Sequence, residues 1–368
     1  SQSFPQLLVS RGVMSIGLAL ALPMSTAILA SNFPPERRGQ ALGLFASVIA
    51  VARATGPTFG GLILYLWGWR AVFLANCLIG IVISVAVFRI FKGREERTKE
   101  PFDFSGSLAL LIGYPALLIA VSSGANSGWN SPATALWVAL AITGLTSFGW
   151  IEFHAKSPLV DVSLFKRRSL SAALLSLAMG SAVYSPISVC APLYIQNVLG
   201  SSPLTVGIIM ASLPLCTAFS SPLSGRLADR LEARVVASLG LGFILLGIFF
   251  YARLGISSDY FLVVVALSLI GVGSGFFMPA NQKAAFSAVG SEHYGILSAM
   301  LSSFGTAAGA LGTTIAVALT EAAMPSRELQ DPGNFAAGQQ FAFFTLLPLG
   351  VIALLISLVG SKSAKEKG

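Results

Sequence analysis

Two arginines that lie inside long apolar stretches are the side chains best placed to do chemistry. Arg11 lies in the first such stretch, and Arg53 lies in the middle of the second, three residues before Gly56. A charge inside a bilayer is costly, so it is expected to face a protein interior or a water-filled cavity. We predict an interior or cavity-facing position for both arginines. Arg53 would bind an anionic group or pair with an acid there. The alternatives are a snorkelling Arg11 and a purely structural ion pair at Arg53.

Two short strings are the next candidates. Gly56-Pro57-Thr58-Phe59-Gly60-Gly61 lies within an apolar stretch, where the proline removes a helix hydrogen bond and the glycines allow close helix packing. Gly225-Arg226-Leu227-Ala228-Asp229-Arg230 ends another stretch. We predict a helix bend at the first string. At the second we predict a tight turn in which Asp229 pairs with Arg230 or Arg234 and faces the N-terminus of the next helix. Small-residue packing and a solvated loop are the alternatives.

Long apolar runs must position these residues. Hydrophobic residues make up 55% of the 368 residues and charged residues only 10%, with a mean hydropathy of +0.79. A soluble domain usually carries about a quarter charged residues, so the composition predicts a membrane protein. A run of about 20 apolar residues spans a bilayer as a helix. Eleven such runs predict an all-α, polytopic transmembrane bundle: residues 4–30, 40–66, 71–91, 104–121, 133–153, 170–195, 205–224, 235–252, 260–279, 295–319 and 339–359.

The charge pattern predicts orientation rather than a nucleic-acid partner. Although the net charge is +8, the basic residues sit in short loops between apolar runs. Loops on one side hold 18 of the 23 Lys and Arg residues, against 3 on the other side. The richer side is expected to be cytoplasmic, which places the C-terminus in the cytoplasm and, with eleven spans, Ser1 outside.

No residue pattern predicts a metal site, a cofactor or a catalytic centre. Cys77, Cys190 and Cys216 all lie inside apolar runs, and His154 and His293 are far apart in sequence. The sequence also lacks a Gly-x-x-x-x-Gly-Lys nucleotide-binding loop. We therefore expect no enzyme activity and no cofactor.

An internal repeat relates the beginning of the chain to its last third. Six identities share an offset of 256 positions: Gly17/Gly273, Pro23/Pro279, Glu36/Glu292, Gly39/Gly295, Ser47/Ser303 and Gly56/Gly312. Both copies run through the membrane in the same direction, as expected for halves related by an axis along the membrane normal. Chance identity among small residues in apolar helices is the alternative.

These motifs resemble the major facilitator superfamily, in particular its fourteen-span drug:proton antiporter branch. The Gly56–Gly61 string is similar to the antiporter motif on the family's fifth helix, and the Gly225–Arg230 string is similar to its Gly-x-Leu-Ala-Asp-Arg loop. Trp69-Arg70-Ala71-Val72-Phe73 and Asn76 resemble the entry to the sixth helix. The resemblance implies an N-terminal half remnant at 1–100, two extra central spans with a loop at 101–168, and a C-terminal six-helix half at 169–368. It also implies that the first three family helices are missing, so we expect this chain alone not to perform coupled transport.

The function implied by the resemblance is proton-coupled efflux of small amphipathic molecules by alternating access. We expect Arg11, Arg53 and Asn76 to line the transport cavity, Gly56, Pro57, Gly60 and Gly61 to form a helix bend that helps to seal it, and Gly225, Asp229, Arg230 and Arg234 to form a cytoplasmic gate. The expected partners are a small-molecule substrate, protons and lipid. The full-length protein is expected to be a monomer in the inner membrane of a bacterium. A nutrient importer or uniporter on the same fold, or an intramembrane enzyme, are the alternatives.

Overall fold

The computed structural model describes residues 3–90, 103–155, 165–324 and 331–359, and every regular element in these ranges is helical. Within these ranges, eleven helical segments are long and apolar enough to cross a membrane. The predicted all-α bundle of eleven spans is therefore confirmed.

Twelve α-helices make up the described ranges. The first five are α1 (Phe4–Asn32), α2 (Pro35–Trp67), α3 (Trp69–Ile90), α4 (Phe104–Ser127) and α5 (Pro132–His154). The other seven are α6 (Arg168–Tyr184), α7 (Ile187–Asn197), α8 (Pro203–Arg230), α9 (Ala233–Ala252), α10 (Tyr260–Phe286), α11 (Tyr294–Ala322) and α12 (Pro332–Val359). The run predicted at 170–195 is two helices that form one span, interrupted at Ser185 and Pro186. Pro186 has no backbone N–H to continue the helical ladder, which accounts for the break.

Helix α8 is longer than predicted. It extends beyond residue 224 to Arg230, and the chain becomes extended only at Leu231. The tight turn predicted for Gly225–Arg230 is therefore wrong: the string forms the last turns of α8. Its arginine, leucine and alanine residues are all good helix formers, so nothing after Gly225 breaks the helix locally.

The hydrophobic core is concentrated in helices α6 to α12. Leu174, Ile244, Ile270 and Phe277 are completely buried there. By contrast, no described side chain of α3 is buried, and α1 presents an almost continuous apolar exposed surface. Apolar surface of this extent suits contact with lipid rather than with water.

Helices α4 and α5 form a closely packed pair that rests on α11. A Cβ atom added to Gly113 would collide with the backbone of Gly144, and the reverse is also true, so only glycine permits this approach. The Tyr114 hydroxyl donates a hydrogen bond to the Ala307 carbonyl on α11. This hydrogen bond connects the pair to the main bundle.

The start of α4 is fixed by a side-chain cap. The Asp103 carboxylate accepts hydrogen bonds from the Gly106 backbone N–H at 2.9 Å and from the Ser105 hydroxyl at 2.7 Å. The Gly106 N–H, followed by the Ser105 hydroxyl, stabilises the charged carboxylate and lowers the pKa of Asp103 below its ordinary value.

Candidate functional site

A cavity with a largely apolar wall and several polar side chains lies where α1 and α2 face α6, α7, α8, α10 and α11. It has two lobes of about 420 and 270 Å³, which share Arg53, Tyr184 and Gln282 in their walls. Volumes in this range fit a small organic molecule. The cavity is therefore large enough to be a ligand site.

The walls of the cavity follow the internal repeat. Four pairs of lining residues are separated by the repeat offset: Leu22/Met278, Thr26/Gln282, Phe45/Leu301 and Ile49/Gly305. Equivalent positions of the two copies thus face the same space. This arrangement is expected if a pseudo-twofold axis passes through the cavity.

Arg53 provides the charge of this cavity. It lies just past the midpoint of α2, about 27 Å along the helix from Pro35 at 1.5 Å per residue. Its side chain is exposed and lines both lobes. Among the described residues, neither lobe is lined by an aspartate or a glutamate. The described part of the cavity wall therefore carries a cation without a carboxylate beside it.

Hydroxyl groups surround this cation. The larger lobe is lined by Thr26, Ser181, Tyr184, Ser185, Ser188, Ser298, Ser302 and Thr306. Ser181 on α6 is only 1% exposed, and its hydroxyl has no hydrogen-bond partner within the described part of the chain. Tyr184 follows one turn later on the same helix, so both hydroxyls lie on one face. A buried polar group without a partner is uncommon and indicates a place for water or a ligand.

Arg11 and Asn76 lie outside this cavity wall. The Arg11 guanidinium stacks over the Phe73 ring of α3 at 5.3 Å from the ring centroid. Asn76 is exposed on α3. Neither residue is among those that line the two lobes. The structure thus brings Arg53, but not the other two predicted cavity residues, to the cavity.

A polar contact joins α2 to α8 and α10 at the end of the bundle where α2 begins. The two Asp229 carboxylate oxygens accept hydrogen bonds from the backbone N–H groups of Gly39 at 2.9 Å and Gln40 at 2.8 Å. Lys283 on α10 forms an ion pair with Asp229 at 2.5 Å and also donates to the Ala228 carbonyl. We call Asp229, Gly39, Gln40 and Lys283 the Asp229 cluster. It connects α2 to both α8 and α10.

Glycines let the helices approach at the Asp229 cluster. A Cβ atom on Gly225 would overlap the Gly39 carbonyl oxygen, and a Cβ atom on Gly43 would lie 2.5 Å from the Ser221 carbonyl oxygen. Close backbone contact of this kind needs small residues on both helices. Gly225, a predicted gate residue, therefore lies at the contact between α2 and α8.

A stacking contact lies near the same end of the bundle. Arg38 is buried, and its guanidinium lies 4.9 Å from the centroid of the Tyr294 ring at the start of α11. Position 38 plus the repeat offset is position 294, so two equivalent positions of the repeat touch each other. The contact therefore lies near the pseudo-twofold axis.

The other predicted gate residues lie beside the Asp229 cluster. Arg230 is exposed, and Arg234 donates a hydrogen bond to the Ser169 hydroxyl on α6. The prediction that Asp229 pairs with Arg230 or Arg234 is wrong, because Lys283 is its ion-pair partner. Sequence reasoning misses Lys283 because it lies beyond the apolar run that ends at residue 279, although α10 continues through it. Gly39, by contrast, can be singled out from the sequence, because it is one of the six identities that define the internal repeat.

The glycine-proline string lies within helix α2, which runs through residues 56–61. Pro57, Thr58 and Gly61 are described only as part of this helix. A Cβ atom on Gly56 or Gly60 would meet no described atom within 4 Å. Small-residue packing, the alternative to a helix bend, is therefore absent at these two glycines in the described structure, and the bend stays a prediction.

Eleven apolar spans within the described residues, a cavity lined by both copies of the repeat, and a contact that joins α2 to α8 and α10 define an integral membrane protein of the transporter type. The Major Facilitator Superfamily profile matches residues 1–313 and again residues 170–367. The chain belongs to this superfamily.

Relatives in the superfamily include proteins named for drug resistance. The multidrug resistance protein Stp of Mycobacterium tuberculosis is 31% identical over 86% of this chain, which spans 58% of Stp. The lincomycin resistance protein LmrB of Listeria monocytogenes is 26% identical over 97% of this chain and 78% of LmrB. The probable multidrug resistance protein EmrY of Escherichia coli is 26% identical over 87% of this chain and 63% of EmrY. The chain thus corresponds to somewhat more than half the length of Stp.

Proposed function

We propose that this protein is a secondary active transporter that exports small amphipathic molecules in exchange for protons. The observation that carries the proposal is a cavity of mixed apolar and polar lining between repeat-related helices that the Asp229 cluster joins at one end. Relatives named for multidrug and lincomycin resistance support export rather than import. That support is an analogy within one fold family and makes the direction of transport testable.

Alternating access assigns a role to the Asp229 cluster. For the cavity to open at that end, α2 must separate from α8 and α10, which breaks the hydrogen bonds from Gly39 and Gln40 to Asp229. A contact that exists in only one conformation stabilises that conformation. We assign the cluster to the cytoplasmic side, since Arg226, Arg230 and Arg234 lie beside it. In this proposal Gly225, Asp229 and the neighbouring arginines form the cytoplasmic gate.

The remaining parts of the proposal concern organisation and location. Residues 1–100 belong to one transport half and 169–368 to the other, with 101–168 as an additional central pair. The protein acts as a monomer in a bacterial inner membrane with its C-terminus in the cytoplasm. Arg11, at the α1–α3 contact, serves proton coupling by influencing a protonatable group.

Dye efflux tests the transport function. Host cells that express the full-length protein would be preloaded with fluorescein, an amphipathic anionic dye supplied as its neutral diacetate ester, and energised with glucose. We expect dye loss several-fold faster than in cells that carry an empty vector, and we expect a protonophore to abolish the difference. Equal dye loss in the two cell types at verified expression would refute export, and fast loss that survives the protonophore would refute proton coupling.

A further inference from the structure

We propose that the cavity recognises its substrates by an anionic group, such as a carboxylate, that Arg53 and the hydroxyls of Ser181 and Tyr184 bind. This inference rests on the proposed transport function and names the substrate class of the same cavity. It follows from charge, from hydrogen-bond donors and from the repeat.

Arg53 brings a positive charge to the cavity. Its guanidinium lines both lobes. No carboxylate within the described ranges lines either lobe to neutralise it. In a membrane interior, where charges are weakly screened, an anionic ligand gains from this cation and a cationic ligand is repelled.

Two hydroxyl groups line the same lobe as Arg53. The Ser181 hydroxyl is buried and makes no hydrogen bond of normal geometry among described residues, and the Tyr184 hydroxyl, one helical turn away, is close enough to interact with it. Hydroxyl groups can donate to a carboxylate that faces the guanidinium, and hydrogen bonds to a charged acceptor are stronger than neutral ones. The polar wall thus complements an oxyanion.

The second copy of the repeat carries no charge at the place of Arg53. Position 53 plus the repeat offset is Gly309, where an added Cβ atom would collide with the Ser185 side chain at the end of α6. The same place in the second copy is therefore filled by helix packing, without a charge. Arg53 is a departure from the symmetry of the cavity, which favours a ligand-binding role over a structural one.

A matched pair of probes tests this inference by binding rather than transport. The probes 1-naphthylacetate and 1-naphthylacetamide have the same ring system and nearly the same size, but differ by one negative charge. Their affinities would be measured by equilibrium dialysis against full-length protein in lipid nanodiscs, with empty nanodiscs subtracted. We expect the acetate to bind roughly ten- to a hundredfold more tightly than the amide, the range for hydrogen bonds to a charged group.

Three variants assign the preference to the cavity. Arg53→Gln should remove it, and Arg53→Lys should keep part of it, because lysine retains the charge but not the bidentate geometry. Arg253→Gln is the matched control: Arg253 is exposed at the end of α9, stacks on Phe249 and lies outside both lobes. This control loses the same charge and should keep the full preference.

Equal affinities in the wild-type protein, or an undiminished preference in Arg53→Gln, would overturn the inference. Tighter binding of 1-naphthylethylammonium than of the acetate would also overturn it. If Arg53→Gln does not fold, the wild-type comparison and Arg53→Lys still decide the question. Fluorescein efflux separates the two proposals: efflux without an anion preference in the binding assay refutes only this inference, and absence of efflux refutes the transport function.

Discussion

Replacing Asp229 by asparagine removes the negative charge from the contact of α2 with α8 and α10, but keeps the size and shape of the side chain. The asparagine side chain would keep one acceptor oxygen, but its NH₂ group would face a backbone N–H of Gly39 or Gln40 where the carboxylate now accepts. Lys283, only 8% exposed, would lose its ion-pair partner and keep the Ala228 carbonyl. A hydrogen bond to a charged group contributes about 1.5–3 kcal/mol, and breaking a buried ion pair costs about 3–5 kcal/mol.

Partial exposure of Asp229 and the remaining Lys283 contact reduce these values. The Asp229 side chain is 11% exposed, so we expect the variant to lose a net stability of about 2–4 kcal/mol in the joined conformation, in which α2 contacts α8 and α10. Such a loss changes the equilibrium between joined and separated conformations by about 30- to 700-fold. The cavity should therefore open to the side of the Asp229 cluster far more often in the variant.

Cysteine labelling measures that opening. A single cysteine would be placed at Ser302, in the larger lobe, after the three native cysteines are replaced by alanine. A membrane-impermeant maleimide would be added to inverted vesicles, which expose the cytoplasmic side. We expect Asp229→Asn to label at least roughly tenfold faster than its parent. Glu36→Gln is the control, because Glu36 is an exposed acid at the same end of α2 and lies outside the Asp229 cluster.

An unchanged labelling rate in Asp229→Asn would refute this prediction, since it would mean that the Asp229 cluster does not hold α2 against α8 and α10. Equal acceleration in Glu36→Gln would assign the effect to general charge at that end of the bundle. Slower labelling in Asp229→Asn would show that the cluster favours the separated conformation instead.

Three further predictions concern other contacts. Gly225→Ala should accelerate the same cysteine labelling, because overpacking costs about 1–3 kcal/mol in the conformation with α2 against α8. Gly242→Ala should not, because a Cβ atom there meets nothing within 4 Å. Equal labelling rates in these two variants would contradict close contact at Gly225. Tyr114→Phe should lower thermal stability by about 0.5–1.5 kcal/mol through loss of its bond to Ala307; an unchanged melting midpoint would contradict this. The Asp103 carboxylate stabilises α4 at pH values above the ordinary aspartate pKa, and this stabilisation is lost as the pH falls through the lowered pKa of folded Asp103. Asp103→Asn should therefore lower the melting midpoint at pH 7, and the difference from the wild-type protein should shrink at strongly acidic pH.

The sequence is sufficient to predict the spans but not their partners. Run length and polarity are local properties, and the bilayer sets the helix length, so eleven spans can be counted directly. The helix ends are harder to predict, because a good helix former such as Leu227 continues a helix beyond the apolar run. The contact between Asp229 and Gly39 joins residues 190 positions apart, and no local pattern specifies it.

The cavity is predictable in part. An arginine in mid-span indicates an interior position, and Arg53 does line the cavity. Arg11 gives the same signal but stacks on Phe73, because a guanidinium can also be accommodated by an aromatic ring. Charge inside an apolar run therefore predicts that a partner exists, without saying whether the partner is a ring, a carboxylate or a ligand.

The repeat equivalence of Arg53 and Gly309 makes the cavity chemically asymmetric. One copy has a charged residue at this position, and the other has none. The second copy instead packs against the end of α6, since a Cβ atom at position 309 would lie 2.6 Å from the Ser185 hydroxyl oxygen. An arginine at position 309 would therefore collide with Ser185 unless that side chain or its helix moved. An amphipathic guest whose anionic end binds Arg53 would enter this cavity in one orientation only, although the surrounding helices are nearly symmetric.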